Sequence, residues 1–152
     1  MIATWYNHWT TVLIEDYVSH HPQIIPTLKN YKGIDIFFNN QPFDLKITYP
    51  KEYITRYGID KMIKDPQHLA IWMYEHQGPQ RFGSDNRFFV VLVDKENLEN
   101  SWKLKRDFNF IFSKIDKFFD SATVSLKDEI VFSFNKRTYT TISKVLMVTK
   151  TK

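Results

Sequence analysis

The chain has 152 residues, 43% of them hydrophobic, 16% aromatic and 25% charged, with no cysteine. That is the size and mix of one folded domain spanning residues 1–152. It excludes intrinsic disorder, because the apolar content offsets chain entropy, and it excludes a disulfide scaffold or a cysteine-based zinc site. No apolar run approaches the roughly 18 residues of a membrane span. The opening Met1-Ile2-Ala3-Thr4-Trp5-Tyr6-Asn7-His8-Trp9 has neither the basic start nor the apolar stretch of a secretory signal, so a cytoplasmic address is expected. The formal charge is +4, spread unevenly: −1 over residues 1–30, 0 over 31–135 and +5 over 136–152. Lys136, Arg137, Lys144, Lys150 and Lys152 carry that last excess without one acid between them. Such a strip suits a phosphate-facing surface, and equally a solvated edge.

Residues 4–19 read as a helix with Thr4 as N-cap. Trp5, Trp9, Val12 and Tyr17 recur near helical spacing, with Tyr6, Leu13 and Ile14 widening the stripe, and His20-His21-Pro22 ends it. Residues 33–49 read as a β-hairpin. Ile34 to Phe38 and Phe43 to Tyr49 are rich in β-branched and aromatic residues, and Asn39-Asn40-Gln41-Pro42 between them is turn chemistry. Asp65-Pro66 predicts an N-cap and first helical position. That helix carries Leu69, Trp72, Met73 and His76 and stops at Gly78-Pro79. After a polar loop, Arg87-Phe88-Phe89-Val90-Val91-Leu92-Val93 is the unbroken apolar run of a strand buried on both faces. Residues 102–119 form an amphipathic helix with Leu104, Phe108, Ile111, Ile115 and Phe118 on one stripe, and 129–149 hold one or two further strands. The order predicts an α/β or α+β domain: a mixed β-sheet flanked by helices.

The chemistry sits in the hairpin. Asp44 and Lys46, two apart on its second strand, face the same side. A turn centred on Asn40-Gln41 would set Asp35 opposite Lys46 and diagonal to Asp44, bringing all three onto one face. A slip of one residue would turn Asp35 away. Two carboxylates among Phe37, Phe38, Phe43 and Ile47 repel each other at a cost unless a cation bridges them. Oxygen ligands of this kind suit Mg²⁺, with Mn²⁺ as a substitute, and the Leu45 carbonyl offers a third oxygen. A metal-bound water can attack a phosphodiester, and the Lys46 ammonium can orient that water or steady the charge on phosphorus.

Gly33-Ile34-Asp35 followed by Phe43-Asp44-Leu45-Lys46 resembles the PD-(D/E)XK nuclease superfamily of restriction and repair endonucleases. The resemblance also rests on the setting of preceding helix, hairpin, following helix and buried strand. The motif covers about 14 residues and the topological likeness residues 4–119. It implies a restriction-endonuclease-like αβββαβ core, a metal site at Asp35 and Asp44, and Lys46 as the catalytic lysine. Some members add a glutamate from the preceding helix, for which Glu15 is the only candidate here. The stretch from Trp72 to Arg87 is similar overall to small bacterial restriction-endonuclease-like proteins. Two departures stand out: Ile34 precedes Asp35 where the pattern has Pro, and only eight residues separate the aspartates. An acid-x-Lys triplet alone means little in a chain with 17 acids, and the weight comes from its place in the hairpin. The competing reading is an exposed hairpin face with an ordinary Asp–Lys pair, worth little energetically.

Gln77, Arg81 and Arg87 flank the loop before the buried strand and could reach a phosphate or a base edge, or simply serve as loop residues. Lys136 and Arg137 join them as candidate DNA contacts. Of the four tryptophans, core packing is expected for at least three. The five histidines show no metal-ligand spacing, and neither a phosphate-binding glycine loop nor a serine-hydrolase elbow occurs. The expectation is a Mg²⁺-dependent DNA endonuclease of restriction type, and cutting both strands of a duplex suits a homodimer. The alternative is a non-catalytic nucleic-acid-binding module on the same fold, using Lys136, Arg137, Lys144 and the lysines of 103–117.

Overall fold

The computed structural model describes residues 2–31, 34–78, 83–96, 98, 101, 103–104 and 107–150, with the backbone alone for 2–8 and 28–31. In chain order the elements are α1 (Ile2–Ser19), β1 (Ile24–Tyr31), β2 (Ile34–Phe38), β3 (Gln41–Thr48), α2 (Lys51–Tyr57), α3 (Ile59–Lys64), α4 (Pro66–Glu75), β4 (Arg87–Asp94), α5 (Phe108–Ser121), β5 (Glu129–Phe134) and β6 (Arg137–Lys150). The six strands form one sheet in the order β1-β2-β3-β4-β6-β5. β1, β2 and β3 make an antiparallel meander, β3, β4 and β6 run parallel, and β5 returns antiparallel on β6. A parallel step needs a crossover. α2 to α4 supply it between β3 and β4, and α5 lies in the connection out of β4. The architecture is therefore the mixed α/β sheet with flanking helices that the sequence predicts.

The sheet divides the interior into two layers. On one face Ile14 and Val18 of α1 and Ile111, Ile115 and Phe119 of α5 pack with Ile36, Phe38, Phe43, Leu45, Phe88 and Val90. On the other, Tyr53, Met62, Leu69, Ala70 and Tyr74 of α2 to α4 pack with Phe89, Val91, Val93, Ile130 and Phe132. β4 feeds both layers alternately, which is why Phe88 to Val93 are all buried and the run is continuously apolar. The β2–β3 and β5–β6 turns each have two central residues at positive φ, as a type I′ turn requires: Asn39 (49°) with Asn40 (63°), and Asn135 (50°) with Lys136 (66°). Among the described residues no helix is long and apolar enough to cross a membrane.

Several details differ from the sequence reading. α1 begins at Ile2, so Thr4 is not its cap. Its buried line is Thr10, Ile14 and Val18, whereas Trp9, Val12 and Leu13, expected inward, are exposed. Apolar residues surround this helix, so spacing alone does not choose the inner side. The expected core role fails for Trp9, and the side chains of Trp5 and Trp102 lie outside the described residues. α5 starts at Phe108 because the Asp107 carboxylate accepts from the Phe110 N–H at 3.3 Å, leaving Leu104 buried ahead of the helix. By contrast Asp65 does cap α4, accepting from the His68 N–H at 3.2 Å with Pro66 at the first position.

One polar side chain ties three strands together where β4 begins. The Asn86 amide donates to the Pro42 carbonyl of β3, β4's neighbour, at 3.1 Å. Its oxygen accepts from the Ile142 N–H at 3.0 Å and the Thr141 hydroxyl at 3.1 Å, both on β6. The Asn86 carbonyl takes the Asp44 N–H at 2.8 Å. Asn86→Ala leaves a backbone donor and an acceptor unpaired, so urea unfolding should show a loss of about 1–3 kcal/mol.

Candidate active site

The register of β2 against β3 decides where Asp35 falls. The two-residue Asn39-Asn40 turn pairs Phe38 with Gln41, Phe37 with Pro42 and Ile36 with Phe43. Carried one rung further, it sets Asp35 opposite Asp44 and diagonal to Lys46. This corrects the expected pairing of Asp35 with Lys46, since the turn sits one residue earlier than predicted. A turn moved by one residue shifts the pairing by two, so the face is preserved and the three side chains still meet. Phe43 and Leu45 are buried in the α1/α5 layer, so Asp44 and Lys46 project on the α2–α4 side.

The regular β2–β3 pairing ends at Ile36, and the Asp35 side chain takes the place of the next rung. Its Oδ2 accepts the Leu45 N–H at 2.8 Å. Within a strand a residue's N–H and C=O point to the same edge. The Leu45 carbonyl therefore faces the Asp35 side as well. Asp44 Oδ2 is shared by two cations, Lys46 Nζ at 3.2 Å and Arg87 Nε at 3.7 Å. The Asp35 carboxyl is held above the usual aspartate range. Partial burial of its carboxyl is the largest cause, although the residue as a whole is exposed, and the Asp44 carboxylate within hydrogen-bonding reach adds to it. The Leu45 N–H and the Lys46 charge pull the other way and do not cancel the rise. Two carboxyls thus share one small patch, as the sequence reading requires.

Other expected residues fall in different places. Glu15 lies on α1, whose Ile14 and Val18 belong to the layer on the opposite face of the sheet. Among the described residues no group of three or more Asp, Glu or His side chains is placed to hold a metal, so Glu15 does not join the two aspartates. Gln77 is a loop clasp: its amide donates to the Tyr74 carbonyl at 2.8 Å and the Gly83 carbonyl at 3.0 Å, and its oxygen accepts the Gly83 N–H at 3.0 Å. Arg81 lies outside the described residues. Arg87 does not face outward: only 11% of its side chain is exposed and its guanidinium lies 5.0 Å from the Tyr74 ring centre. Lys136 and Arg137 are exposed at the β5–β6 turn. Lys144 is committed to Asp128 and the Thr123 carbonyl, both at 3.0 Å, and Lys150 to Asp107 at 3.3 Å. The basic C-terminal strip is thus partly internal.

Sequence reasoning missed the ion pair between Arg87 and Asp44. The available signal was a charged residue opening a buried strand. It needed the β3–β4 pairing, which sets Asp44 beside Arg87 and could not be read from spacing. Comparison of the chain with protein-family models, with curated proteins and with solved structures gave no match.

The raised Asp35 carboxyl makes a signed forecast. A carboxyl held above its unfolded value favours the folded state when protonated and loses that contribution as pH rises through its folded value. Asp35→Asn, which keeps an oxygen for the Leu45 N–H, should melt about 1–2 °C above the parent near pH 7.5 and equally with it near pH 3. Thermal melts across that range, without divalent ions, check it. A gap independent of pH contradicts the assignment.

Proposed function

We propose that the chain is a metal-dependent deoxyribonuclease of the PD-(D/E)XK kind, hydrolysing phosphodiester bonds with water and forming no covalent intermediate. The observation that carries this reading is the convergence of Asp35, Asp44 and Lys46 on one face of the sheet, beside the backbone edge of Leu45. The element order also agrees with the αβββαβ core that the resemblance implies.

The donor set fits a hard divalent ion. Two neighbouring carboxyls, one of them raised chiefly by partial burial and further by the other, with a carbonyl on the same edge, are oxygen ligands of the kind Mg²⁺ or Mn²⁺ takes. Asp35, Asp44 and the Leu45 carbonyl would hold it. When bound, such an ion supplies a water of lowered pKa and neutralises charge on the phosphoryl oxygens. The protein's own part is positional. The Leu45 N–H fixes one oxygen of Asp35 and so aims the other. Lys46, half exposed at the rim, presents its ammonium to a water or a phosphoryl oxygen, where charge grows during attack. A restriction-type role and a two-fold dimer that cuts both strands belong to the same proposal.

A second reading is favoured by one observation: Asp44 is already offset by Lys46 and Arg87. A fold in that state can bind DNA through exposed cations such as Lys136 and Arg137 without cutting it. Supercoiled-plasmid nicking separates the two. The parent protein should nick in Mg²⁺ and not in EDTA, and Lys46→Ala should lose about 100-fold or more in rate. Salt-sensitive DNA binding without cleavage of any DNA form would favour the binding module.

A further inference from the structure

Asp44 Oδ2 has two suitors of different character. Lys46 holds it at 3.2 Å on a side chain that is 51% exposed. Arg87 lies at 3.7 Å on a side chain that is 11% exposed. Arg87 is also fixed from several directions. Its guanidinium packs on Tyr74, whose hydroxyl is itself anchored to the Asp85 carbonyl at 2.8 Å. Gly83 closes over it so tightly that a Cβ there would come within 2.9 Å of Nη2. Gln77 in turn clasps both backbone groups of Gly83. The buried Arg87 Nε has no hydrogen-bond partner among the described residues, and it faces the oxygen that Lys46 occupies. A buried donor left without a partner is costly, so a small turn of Asp44 toward Arg87 is favourable once Lys46 lets go.

Resting on the nuclease reading, we propose that Arg87 is a positioning residue that takes over Asp44 Oδ2 when Lys46 leaves it, freeing the Lys46 ammonium for the substrate. Lys46 is the mobile partner of Asp44 and Arg87 the fixed one. The surface-contact role that sequence alone suggests for Arg87 is replaced by one inside the site. Without Arg87, Lys46 stays the only side-chain cation on Asp44 Oδ2 among the described residues and is withheld from the reaction. Metal affinity does not suffer, because removing a cation from beside two carboxylates does not weaken their hold on another.

The test is Arg87→Met, with Gly83→Ala as a second variant that displaces the guanidinium through the new Cβ and leaves Asp44 untouched. The expected result is a turnover number reduced roughly tenfold or more at saturating Mg²⁺. Mn²⁺ affinity, read by titration calorimetry without DNA, should be equal or tighter, and DNA affinity in Ca²⁺ within about twofold. Gly83→Ala should move turnover in the same direction by less, and Arg87→Lys should recover part of the loss. Weaker DNA binding with normal turnover on bound DNA would make Arg87 a DNA contact and overturn the proposal. Loss of Mn²⁺ affinity together with turnover, in both Arg87→Met and Gly83→Ala, would make its role structural and overturn it too. Unchanged kinetics in both variants overturn the proposal and leave the nuclease reading standing. A parent protein that neither binds Mn²⁺ nor cuts DNA overturns both.

Discussion

Everything at the candidate site depends on the Asn39-Asn40 turn. Two residues at positive φ close the β2–β3 hairpin as tightly as a hairpin can be closed, and that fixes which residue faces which. Asparagine tolerates this conformation better than any other residue with a side chain of comparable size. The consequence reaches the fourth residue along each strand, where two aspartates are brought face to face. One of them then abandons ordinary strand pairing and uses its carboxyl to close the backbone of Leu45. A carboxylate that satisfies a backbone N–H is both anchored and directed, which a flexible surface acid is not.

The electrostatics follow from the same placement. Two acids and two cations meet at the start of the parallel pair β3–β4, and the cations differ in exposure rather than in charge. Their geometry leaves the arrangement unsymmetrical. Asp35 has a backbone partner and a raised pKa, whereas Asp44 has an ammonium and a guanidinium beside a single oxygen.

The elements with strong local chemistry were legible in the sequence. β4 was visible because a strand fed by both layers has no polar side, and α4 because Asp65-Pro66 is an N-terminal signal that few other contexts produce. The site triad was legible because its face depends only on odd and even positions, which survived an error in the turn. Partner identity within the triad did not survive it. β1, α2 and α3 escaped notice. β1 carries a Pro26 and a bulge between Pro26 and Tyr31, and the two helices are short segments whose ends are set by Gly58 and Asp65 rather than by a long apolar stripe. The inner side of α1 was misjudged because its hydrophobic residues leave no polar side to contrast with. Asn86 and Arg87 owe their importance to strands 42 to 56 residues away, a distance across which no local pattern speaks.

The division of the interior by the sheet has a consequence for how such a chain can change over time. Asp35, Asp44, Lys46 and Arg87 all open toward α2 to α4, while α1 and α5 pack only on the reverse. Mutations that swap hydrophobic volumes beneath α1 and α5 can accumulate as a set without crossing the strands to disturb the polar cluster. The reverse half of the molecule is thus free to drift as a chassis, and heritable divergence is expected to concentrate there.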